Sequence, residues 1–269
     1  MTRLAVIQFP GSNCEYETQR AANYYGFSAD IIRWNCSPGD FHAYHAYILP
    51  GGFSYQDRVR SGAIASKLPI LGWLQEASAQ GKPILGICNG CQILAEAGLV
   101  PDFAETNAVE IALQHNTRDG ERWGFVCDWV FVRIERPELC VFTRQFSPND
   151  VLPVPINHGE GKFVLSETVR KRLNELTMMT YCKPYGHPEP SYPTNPNGST
   201  LNIAALSNKK GNVLAMMPHP ERASFVRQIP FWIAGEWPDK KRKQFQAGQD
   251  GAGPWEKLFV SVKEYALCL

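Results

Sequence analysis

Short apolar runs alternate with segments of helical periodicity through the first hundred residues, and this alternation constrains the fold more than any other feature of the sequence. Parallel strands need a long crossover between them, which is usually a helix. Helices on both faces bury such strands, so that the strands read as continuous apolar runs. The sequence therefore predicts an α/β fold with a mostly parallel sheet flanked by helices. The apolar runs lie at 4–9, 30–34, 46–50 and 83–87, and the helical segments lie at 15–25, 61–79 and 90–97.

The second part of the chain follows a different pattern. From residue 109 onward, polar and apolar residues alternate as in half-buried strands, most clearly over Val126–Ile134, and a further strand candidate lies at 213–217. This pattern predicts an antiparallel layer added to the parallel sheet. Apolar residues at helical spacing predict a final helix over 255–267 that caps the core. Because no repeat or linker divides the chain, we expect a single domain over residues 1–269.

Two segments are rich in the residues typical of loops. Residues 183–199 are crowded with Pro, Gly and Asn, and residues 229–253 contain the charged run 239–243 followed by Gly-rich sequence. We expect both segments to be loop insertions at the surface. The basic run is most often a solvated face, with a docking site for a partner as the alternative.

The charge balance and the hydropathy exclude several classes of protein. Lys and Arg total 27 against 26 for Asp and Glu, so we expect neither nucleic acid nor a membrane surface as a partner. The first apolar run is much shorter than the core of a signal peptide. No stretch approaches the roughly 20 apolar residues that span a bilayer. We therefore expect a cytoplasmic protein that acts on a small molecule.

Eight cysteines are scattered along the chain without the paired spacing of a disulfide framework, so we expect most of them to be reduced. Cys88 and Cys91 have C-x-x-C spacing, which leaves zinc binding and thioredoxin-like redox chemistry as alternatives for this pair. A structural zinc site usually needs a second such pair or a nearby pair of histidines. The sequence offers neither, so we expect no metal.

The sequence G-I-C-N-G-C-Q at 86–92 places a cysteine between an apolar strand and a helix. Glycines on both sides permit a sharp strand-to-helix turn, which presents the side chain at the carboxyl edge of the sheet, where open α/β sheets bind ligands. The positive end of the helix favours the thiolate, which is the nucleophilic form of cysteine. Cys88 is therefore a candidate nucleophile, although an apolar strand can also end in a cysteine that is merely buried.

A cysteine nucleophile needs a base, and M-P-H-P-E-R at 217–222 supplies a histidine and a carboxylate two residues apart. In an extended backbone such residues project to the same side, so Glu221 can accept a hydrogen bond from His219 and direct the other ring nitrogen toward a sulfur. A lone histidine is more often a surface or capping residue. Beside a candidate nucleophile, His219 becomes the candidate base.

Acyl transfer also needs donors for the oxyanion of the tetrahedral intermediate. The sequence P-G-G-F-S at 50–54 follows a predicted strand, and its successive glycines let backbone N–H groups turn inward. Elbow enzymes combine one donor after the nucleophile with one from the loop of another strand, and the N–H groups of Gly52 and Asn89 match this arrangement. Most Gly-Gly pairs are ordinary turns, so this motif depends on the other two.

The three motifs together resemble those of the class I (triad) glutamine amidotransferases. More narrowly, three longer stretches resemble the glutaminase subunits of phosphoribosylformylglycinamidine synthases, which act in purine biosynthesis. The resemblance runs from the first strand to the final helix and implies the flavodoxin-like fold of this family. The stretches are P-G-G-F-S-Y-Q-D at 50–57, P-I-N-H-G-E-G-K-F at 155–163 and Y-P-T-N-P-N-G-S at 192–199.

The resemblance implies a role for each residue that matches a motif. Cys88 is the nucleophile, and Glu221 orients His219, which acts first as the general base and then as the general acid. Gly52 and Asn89 donate hydrogen bonds to the oxyanion. These roles form a Cys-His-Glu triad with its oxyanion hole.

The resemblance also implies contacts to glutamine. Phe53 and Gln92 lie where the family lines its glutamine pocket, and Asn116 is a candidate for contacting the backbone of glutamine. This sequence departs from the family in two places. Residues 118–121 lengthen the segment after Asn116, and residues 229–253 form a longer segment than compact members have.

The reaction and its partners follow from the same resemblance. Glutamine is hydrolysed to glutamate and ammonia through a glutamyl thioester on Cys88. The chain has no G-x-x-x-x-G-K-[ST] sequence to bind ATP, so we expect no cofactor in this chain and place ATP and Mg²⁺ on a separate synthetase subunit. That subunit uses the ammonia to convert formylglycinamide ribonucleotide to formylglycinamidine ribonucleotide, and a small bridging subunit is a further candidate partner.

Two alternatives compete with this prediction. The guanylate, carbamoyl-phosphate and imidazole-glycerol-phosphate enzymes share the triad, so another synthetase is an alternative receiver of the ammonia, although the later motifs argue against it. A non-catalytic redox or chaperone protein on a related elbow fold would keep a reactive cysteine. Such a protein would not need the His-Pro-Glu sequence.

Overall fold

The computed structural model describes residues 2–244 and 251–269 of the chain. The strands are β1 (Arg3–Gln8), β2 (Ser28–Arg33), β3 (Ala46–Leu49), β4 (Ile84–Ile87), β5 (Ile111–Gln114), β6 (Thr117–Arg118), β7 (Glu121–Arg122), β8 (Val126–Ile134), β9 (Val151–His158), β10 (Lys162–Leu165), β11 (Thr177–Cys182), β12 (Ile203–Ser207) and β13 (Val213–Met216). The α-helices are α1 (Glu15–Tyr24), α2 (Pro38–His42), α3 (Pro69–Ala79), α4 (Asn89–Glu96), α5 (Glu167–Arg172), α6 (Glu236–Gln244) and α7 (Glu256–Ala266).

Nine of the strands form one sheet, in the order β2-β1-β3-β4-β13-β12-β11-β8-β9. The strands from β2 to β13 in this order pair in parallel, which confirms the predicted mostly parallel sheet flanked by helices. Strand β13 comes from late in the sequence and pairs with β4, with Met216 opposite Ile87. The carboxyl ends of β4 and β13 therefore meet at one edge of the sheet.

The antiparallel strands continue the same sheet beyond β13. Strand β12 pairs antiparallel with β13. Strands β11, β8 and β9 follow it in this order across the sheet, and each pairs antiparallel with its neighbour. The end of β9 returns to the carboxyl edge of the parallel strands, because the backbone N–H of His219 donates to the carbonyl of Pro155 at 2.9 Å. Two small sheets, β5 with β10 and β6 with β7, lie beside the large one. The predicted antiparallel part thus forms one wall of the region where β4 and β13 end.

The helix predicted over 61–79 is shorter than its periodicity suggested. Helix α3 begins at Pro69, and residues 65–67 form a single 3-10 turn before it. A residue before proline is sterically excluded from helical backbone, and Leu68 is extended, with φ −77° and ψ 150°. The proline that suits the first position of a helix therefore also ends the preceding turn.

The segment 183–199 lies only partly at the surface. Its first part is largely exposed, as predicted, but residues 194–199 are mostly buried. Asn197 donates through its side-chain amide to the carbonyl of Gly161 at 2.8 Å, and the Ser199 hydroxyl donates to the same carbonyl at 3.3 Å. The prediction of a surface loop is wrong for 194–199, because these polar side chains satisfy the backbone of the turn between β9 and β10.

The segment 229–253 contains a helix, so the prediction of a loop is wrong there as well. Helix α6 carries the basic run. Lys240 pairs with Glu236 one turn earlier at 2.6 Å, and Trp237 packs against the core. Residues 245–250, the Gly-containing end of the predicted insertion, lie outside the described residues.

Helix α7 covers the core as predicted, and Trp255 anchors its beginning. The Trp255 side chain is completely buried, and its indole N–H donates to the carbonyl of Pro153 in β9 at 3.1 Å. Within the described part of the chain, each helix is too short or too polar to cross a membrane.

Trp255→Ala tests how much this anchor stabilises the fold. We expect the free energy of unfolding to fall by about 3–5 kcal/mol, because the substitution removes a buried aromatic side chain and leaves a cavity. Trp232→Ala is the matched control, since the Trp232 side chain is 67% exposed, and its effect should stay within about 0.5 kcal/mol. Urea unfolding measures both. Equal losses of stability in the two variants would contradict the anchoring role.

Candidate active site

Cys88 lies at a strained turn between β4 and α4. Its backbone has φ 51° and ψ −106°, a conformation that costs on the order of 1–3 kcal/mol for a residue other than glycine. The turn is held from both sides: the Cys88 N–H donates to the carbonyl of Met216 at 2.8 Å, and α4 packs so tightly that a Cβ on Gly90 would lie 2.0 Å from the carbonyl oxygen of Leu49. The structure therefore has the elbow that the glycine pattern predicted.

The Cys88 sulfur is held at the amino end of α4. Cys88 is the N-cap residue of this helix and is 5% exposed. Its sulfur lies 3.6 Å from the carbonyl oxygen of Asn157 in β9, to which the thiol form can donate. The first turn of α4 places the partial positive charge of a helix end beside this sulfur.

His219 and Glu221 form a buried pair beyond the end of β13. The Nδ1 atom of His219 lies 2.6 Å from Oε1 of Glu221, and both residues are 1% exposed. A 3-10 turn that begins at Pro220 brings the two side chains together, rather than the extended backbone that the sequence suggested. The pair itself is as predicted.

The charge of His219 depends on its neighbours. Burial alone would lower the pKa of the imidazole, but the carboxylate of Glu221 and the thiol group of Cys88 outweigh burial and raise this pKa well above its usual value. The Nε2 atom of His219 has no hydrogen-bond partner among the described residues. His219 therefore has one ring nitrogen fixed by a carboxylate and the other available for proton transfer.

Gly51 lies between Cys88 and His219. A Cβ at this position would lie 2.7 Å from Cε1 of His219, 3.0 Å from the Cys14 sulfur and 3.5 Å from Cβ of Cys88. Only a residue without a side chain fits at this point. The Gly-Gly motif predicted a role for Gly52 only, and the position of Gly51 between Cys88 and His219 was not predicted.

Cys14 is a further residue that the sequence analysis missed. Its buried sulfur accepts a hydrogen bond from Nη2 of Arg222 at 3.2 Å, and Arg222 in turn donates to Glu17 at 2.6 Å. Burial raises the pKa of the Cys14 thiol to about 11. Ligand atoms of Cys14, His219 and Glu221 lie within 4.8 Å of one another, which is a spacing that a metal can use. The guanidinium of Arg222 against the sulfur disfavours a cation there.

Cys91 does not share the environment of Cys88. It lies within the hydrophobic core, completely buried, and burial raises the pKa of its thiol well above the usual value. A buried neutral thiol is a poor metal ligand and a poor redox partner. The C-x-x-C spacing therefore reflects packing of α4 behind the elbow.

The two predicted oxyanion donors belong to Asn89, which directly follows Cys88, and to Gly52, which lines the same cavity as Cys88. Asn89 is the first residue of α4 and has no acceptor within the helix for its N–H. Gly52, with φ 152°, pairs with Ser12 in an isolated bridge. The side-chain oxygen of Asn89 accepts from the N–H of Ser54 at 3.0 Å, which ties the loop of Gly52 to the helix of the nucleophile.

A cavity of about 260 Å³ opens beside Cys88. Among the predicted site residues, Gly52, Phe53 and Gln92 line it together with the nucleophile. The other lining residues are Asp57, Ser61, His115, Arg122, Trp123, Gly124, Phe125, Asn157, His158, Gly159 and Glu160.

Gln92 supports the wall of this cavity. Its amide nitrogen donates to the carbonyl of Glu160 at 2.6 Å, and its amide oxygen accepts from the side chain of Asn89 at 2.9 Å. Phe53 lies at the mouth, with its ring 6.2 Å from that of Phe125.

The structure does not bring Asn116 to the cavity, which corrects the prediction that it contacts glutamine. The side chain is completely buried. Its nitrogen donates to the carbonyls of Gly124 and His158, and its oxygen accepts from the N–H of Gly161. The Nδ1 atom of His158 lies 3.1 Å from the same oxygen. Because every polar position of this amide is occupied, Asn116 holds together the segments behind the cavity wall.

Two carboxylates in the cavity wall were not singled out from the sequence. Burial, with a smaller contribution from the nearby Glu160, raises the pKa of Asp57 to about 6, although a hydrogen bond from Ser61 acts to lower it. Asp57 ends a left-handed turn in which Tyr55, Gln56 and Asp57 have φ of 54°, 59° and 51°. Both carboxylates belong to motifs that carried the family resemblance, which was the available signal.

Comparison with known proteins agrees with this geometry. A family model described as the CobB/CobQ-like glutamine amidotransferase domain matches residues 1–266. The chain belongs to this family. The predicted glutamine amidotransferase, an enzyme of the triad class, is thereby confirmed.

Relatives of this amidotransferase are similar over nearly its whole length. It is 44% identical over 98% of its length to phosphoribosylformylglycinamidine synthase subunit PurQ of Methanothrix thermoacetophila, of which it covers 97%. PurQ of Methanopyrus kandleri is 40% identical over 83% of the chain and 90% of the relative. The solved structure of PurLQS from Thermotoga maritima contains a chain with a TM-score of 0.71 and 31% identity, and the match covers 98% of both chains.

Gly51→Ala tests the spacing between the catalytic groups. The added methyl group would overlap Cε1 of His219, so we expect the amidotransferase to lose at least about a hundredfold in glutamine hydrolysis, as expected for displacement of a catalytic group by about 1 Å. Gly72→Ala is the control, since a Cβ there meets no atom within 4 Å and replaces a glycine inside α3. Full activity of Gly51→Ala, with folding confirmed by circular dichroism, would contradict this arrangement.

Proposed function

We propose that the chain is the glutaminase subunit of a phosphoribosylformylglycinamidine synthase, which hydrolyses glutamine and supplies ammonia to a separate synthetase subunit. The observation that carries the chemistry is the elbow cysteine, Cys88, which lines a cavity and lies close to the buried His219–Glu221 pair. The identity of the synthetase that receives the ammonia is inferred from the relatives that are 40–44% identical, which are PurQ subunits of phosphoribosylformylglycinamidine synthase.

The first half-reaction forms a thioester. The Cys88 thiolate attacks the side-chain carbonyl carbon of glutamine, and the N–H groups of Gly52 and Asn89 donate to the oxyanion that forms. His219, which is protonated beside the thiolate, then gives its proton to the leaving nitrogen, and ammonia departs. Glu221 accepts from Nδ1 of His219 and stabilises the imidazolium.

The second half-reaction releases glutamate. His219 is now neutral and accepts a proton from water through Nε2, so that hydroxide attacks the thioester carbon. The same oxyanion donors act again. Collapse of the second intermediate expels the Cys88 thiolate, and His219 is again an imidazolium beside it. Each oxyanion donor is expected to contribute about a hundredfold to a thousandfold to the rate.

The residues of the cavity wall differ in whether they contact glutamine or hold the wall in place. Phe53 at the mouth covers the apolar part of the substrate, and Gln92 fixes the wall against α4 through its bonds to Asn89 and Glu160. Asn116 acts as a positioning residue behind that wall. We assign no metal and no cofactor to this mechanism, since each proton and charge is handled by the residues named.

Ammonia has to react elsewhere, because no phosphate-binding loop occurs in the sequence. We assign ATP and Mg²⁺ to the synthetase subunit, with a small bridging subunit as a further component of the complex. We further propose that residues 1–269 act as one domain, with 183–199 and 229–253 as insertions in it, and that the enzyme works in the cytoplasm.

Cys88→Ser tests the proposed function in the presence of the synthetase subunit, formylglycinamide ribonucleotide, ATP and Mg²⁺. We expect glutamine-dependent formation of formylglycinamidine ribonucleotide to fall by more than about a thousandfold, because the nucleophile is lost. The reaction supplied with ammonium chloride should keep its rate, because it bypasses the glutaminase site.

Cys127→Ser is the matched control for this experiment. Cys127 is an exposed thiol in β8, and its removal should leave both reactions unchanged. Glutamine-dependent product from Cys88→Ser at the wild-type rate would show that Cys88 is not the nucleophile. If the wild-type chain supports no glutamine-dependent formation of formylglycinamidine ribonucleotide, this synthetase is not the one that receives the ammonia.

A further inference from the structure

Groups of opposite charge lie along the wall of the cavity beside Cys88. Asp57 and Glu160 supply carboxylates, and His115 and Arg122 supply basic groups. Nδ1 of His115 lies 3.4 Å from Oε1 of Glu160 and 3.4 Å from Nη2 of Arg122. The wall therefore carries the Asp57 carboxylate near α4 and the Arg122 guanidinium on the β6–β7 hairpin.

The carboxylate of Asp57 has neutral donors but no permanent cation beside it. The side-chain nitrogen of Asn89 lies 3.4 Å from its Oδ1, and Ser61 also donates to it. No Lys or Arg nitrogen of the described residues forms an ion pair with it within 4.0 Å. Since Glu160 adds a second negative group, a cation that enters the cavity would be stabilised at this point.

Arg122 is the counterpart of this carboxylate pair. It lies in β7, exposed at the edge of the cavity, and its hydrogen-bond partner is His115. No carboxylate within residues 2–244 and 251–269 forms an ion pair with it within 4.0 Å. A guanidinium with its donors available suits a carboxylate ligand, which it can bind through two parallel hydrogen bonds.

We propose that Asp57 and Glu160 bind the α-ammonium group of L-glutamine and that Arg122 binds its α-carboxylate, so that these residues select the substrate by its zwitterionic end. The inference rests on the proposed function, since it takes glutamine as the substrate. It explains why one cavity has both charges on its wall.

The size of glutamine fits this assignment. Three bonds separate its reacting carbon from its α-carbon, a span of about 4 Å. The side chains that bind the ammonium and carboxylate groups on the α-carbon must therefore lie near the nucleophile. Asn89 directly follows Cys88 and contacts Asp57, and Gln92 on the same helix contacts the backbone of Glu160.

The left-handed turn at 55–57 holds Asp57 in place. Three successive residues other than glycine in this conformation cost on the order of 1–2 kcal/mol each. Strain of this kind persists where the surrounding structure requires it, and it concentrates at ligand sites. Here it brings the Asp57 carboxylate within hydrogen-bonding distance of α4.

Competitive inhibition by two truncated substrates separates the two charge contacts. Glutaramate lacks the ammonium group, and 4-aminobutanamide lacks the carboxylate. Asp57→Asn should raise KM for glutamine and Ki for 4-aminobutanamide at least about tenfold, as expected for loss of a charged hydrogen bond, and should leave Ki for glutaramate within about twofold. Arg122→Gln should show the reverse pattern for the two inhibitors. The kcat for glutamine should change little in both variants.

Asp119→Asn is the matched control, because this carboxylate is highly exposed on the β6–β7 hairpin and does not line the cavity. In Asp57→Asn, equal shifts of KM for glutamine and of Ki for both inhibitors would overturn the inference while the proposed function stands. The absence of a shift in all three of these constants would do the same. If wild type and Cys88→Ser release ammonia from glutamine at the same rate, the proposed function fails, and this inference fails with it.

The pH dependence of Ki gives a second test of the ammonium site. Burial raises the pKa of the Asp57 carboxyl to about 6, and the protonated carboxyl cannot form an ion pair with an ammonium group. Ki for 4-aminobutanamide should therefore rise as the pH falls below about 6, while Ki for glutaramate should not. Glu160, His115 and Arg122 face the same space, so Asp57→Asn identifies the titrating group by removing the rise. An unchanged rise in that variant would contradict the role of Asp57.

Discussion

The parallel pairing of β4 with β13 is the interaction on which the active site depends. It joins a strand from the first hundred residues to one near the end of the chain, with Met216 opposite Ile87. Cys88, the proposed nucleophile, directly follows β4, and His219, the proposed base, lies three residues beyond the end of β13. Because the carboxyl edge of a parallel sheet leaves the next residues unpaired, these two side chains can approach each other there. A register shift between these strands would separate Cys88 from His219.

Close packing and buried charge then complete the site. Gly51 and Gly90 let three segments approach within distances that any side chain would prevent, and this contact holds the unusual backbone of Cys88. Burial of His219 would favour the neutral ring, but the adjacent Glu221 and Cys88 outweigh burial and raise the pKa of the imidazole. The same principle applies in the cavity wall, where burial and the neighbouring Glu160 raise the pKa of the Asp57 carboxyl.

The features that depend on residues close together in the sequence could be predicted from it. The elbow at Cys88, the His219–Glu221 pair and the parallel strands each follow from local spacing and periodicity. Long-range packing could not be predicted in this way. The segments that meet at Gly51, the burial of Asn116 and the proximity of Asp57 to Glu160 arise only when distant parts of the chain come together. Helix α6 was missed because its charged sequence lacks a clear apolar face.

Selective labelling of Cys88 by an electrophilic analogue of glutamine tests the central claim most directly. The chain, with its synthetase subunit, is treated with a chloroketone analogue, and the modified peptides are identified by mass spectrometry. The account predicts that Cys88 reacts far faster than the exposed Cys127 and Cys268, and that excess L-glutamine protects it. Equal labelling of the exposed thiols, or no protection by glutamine, would contradict a glutamine-specific nucleophile at the elbow.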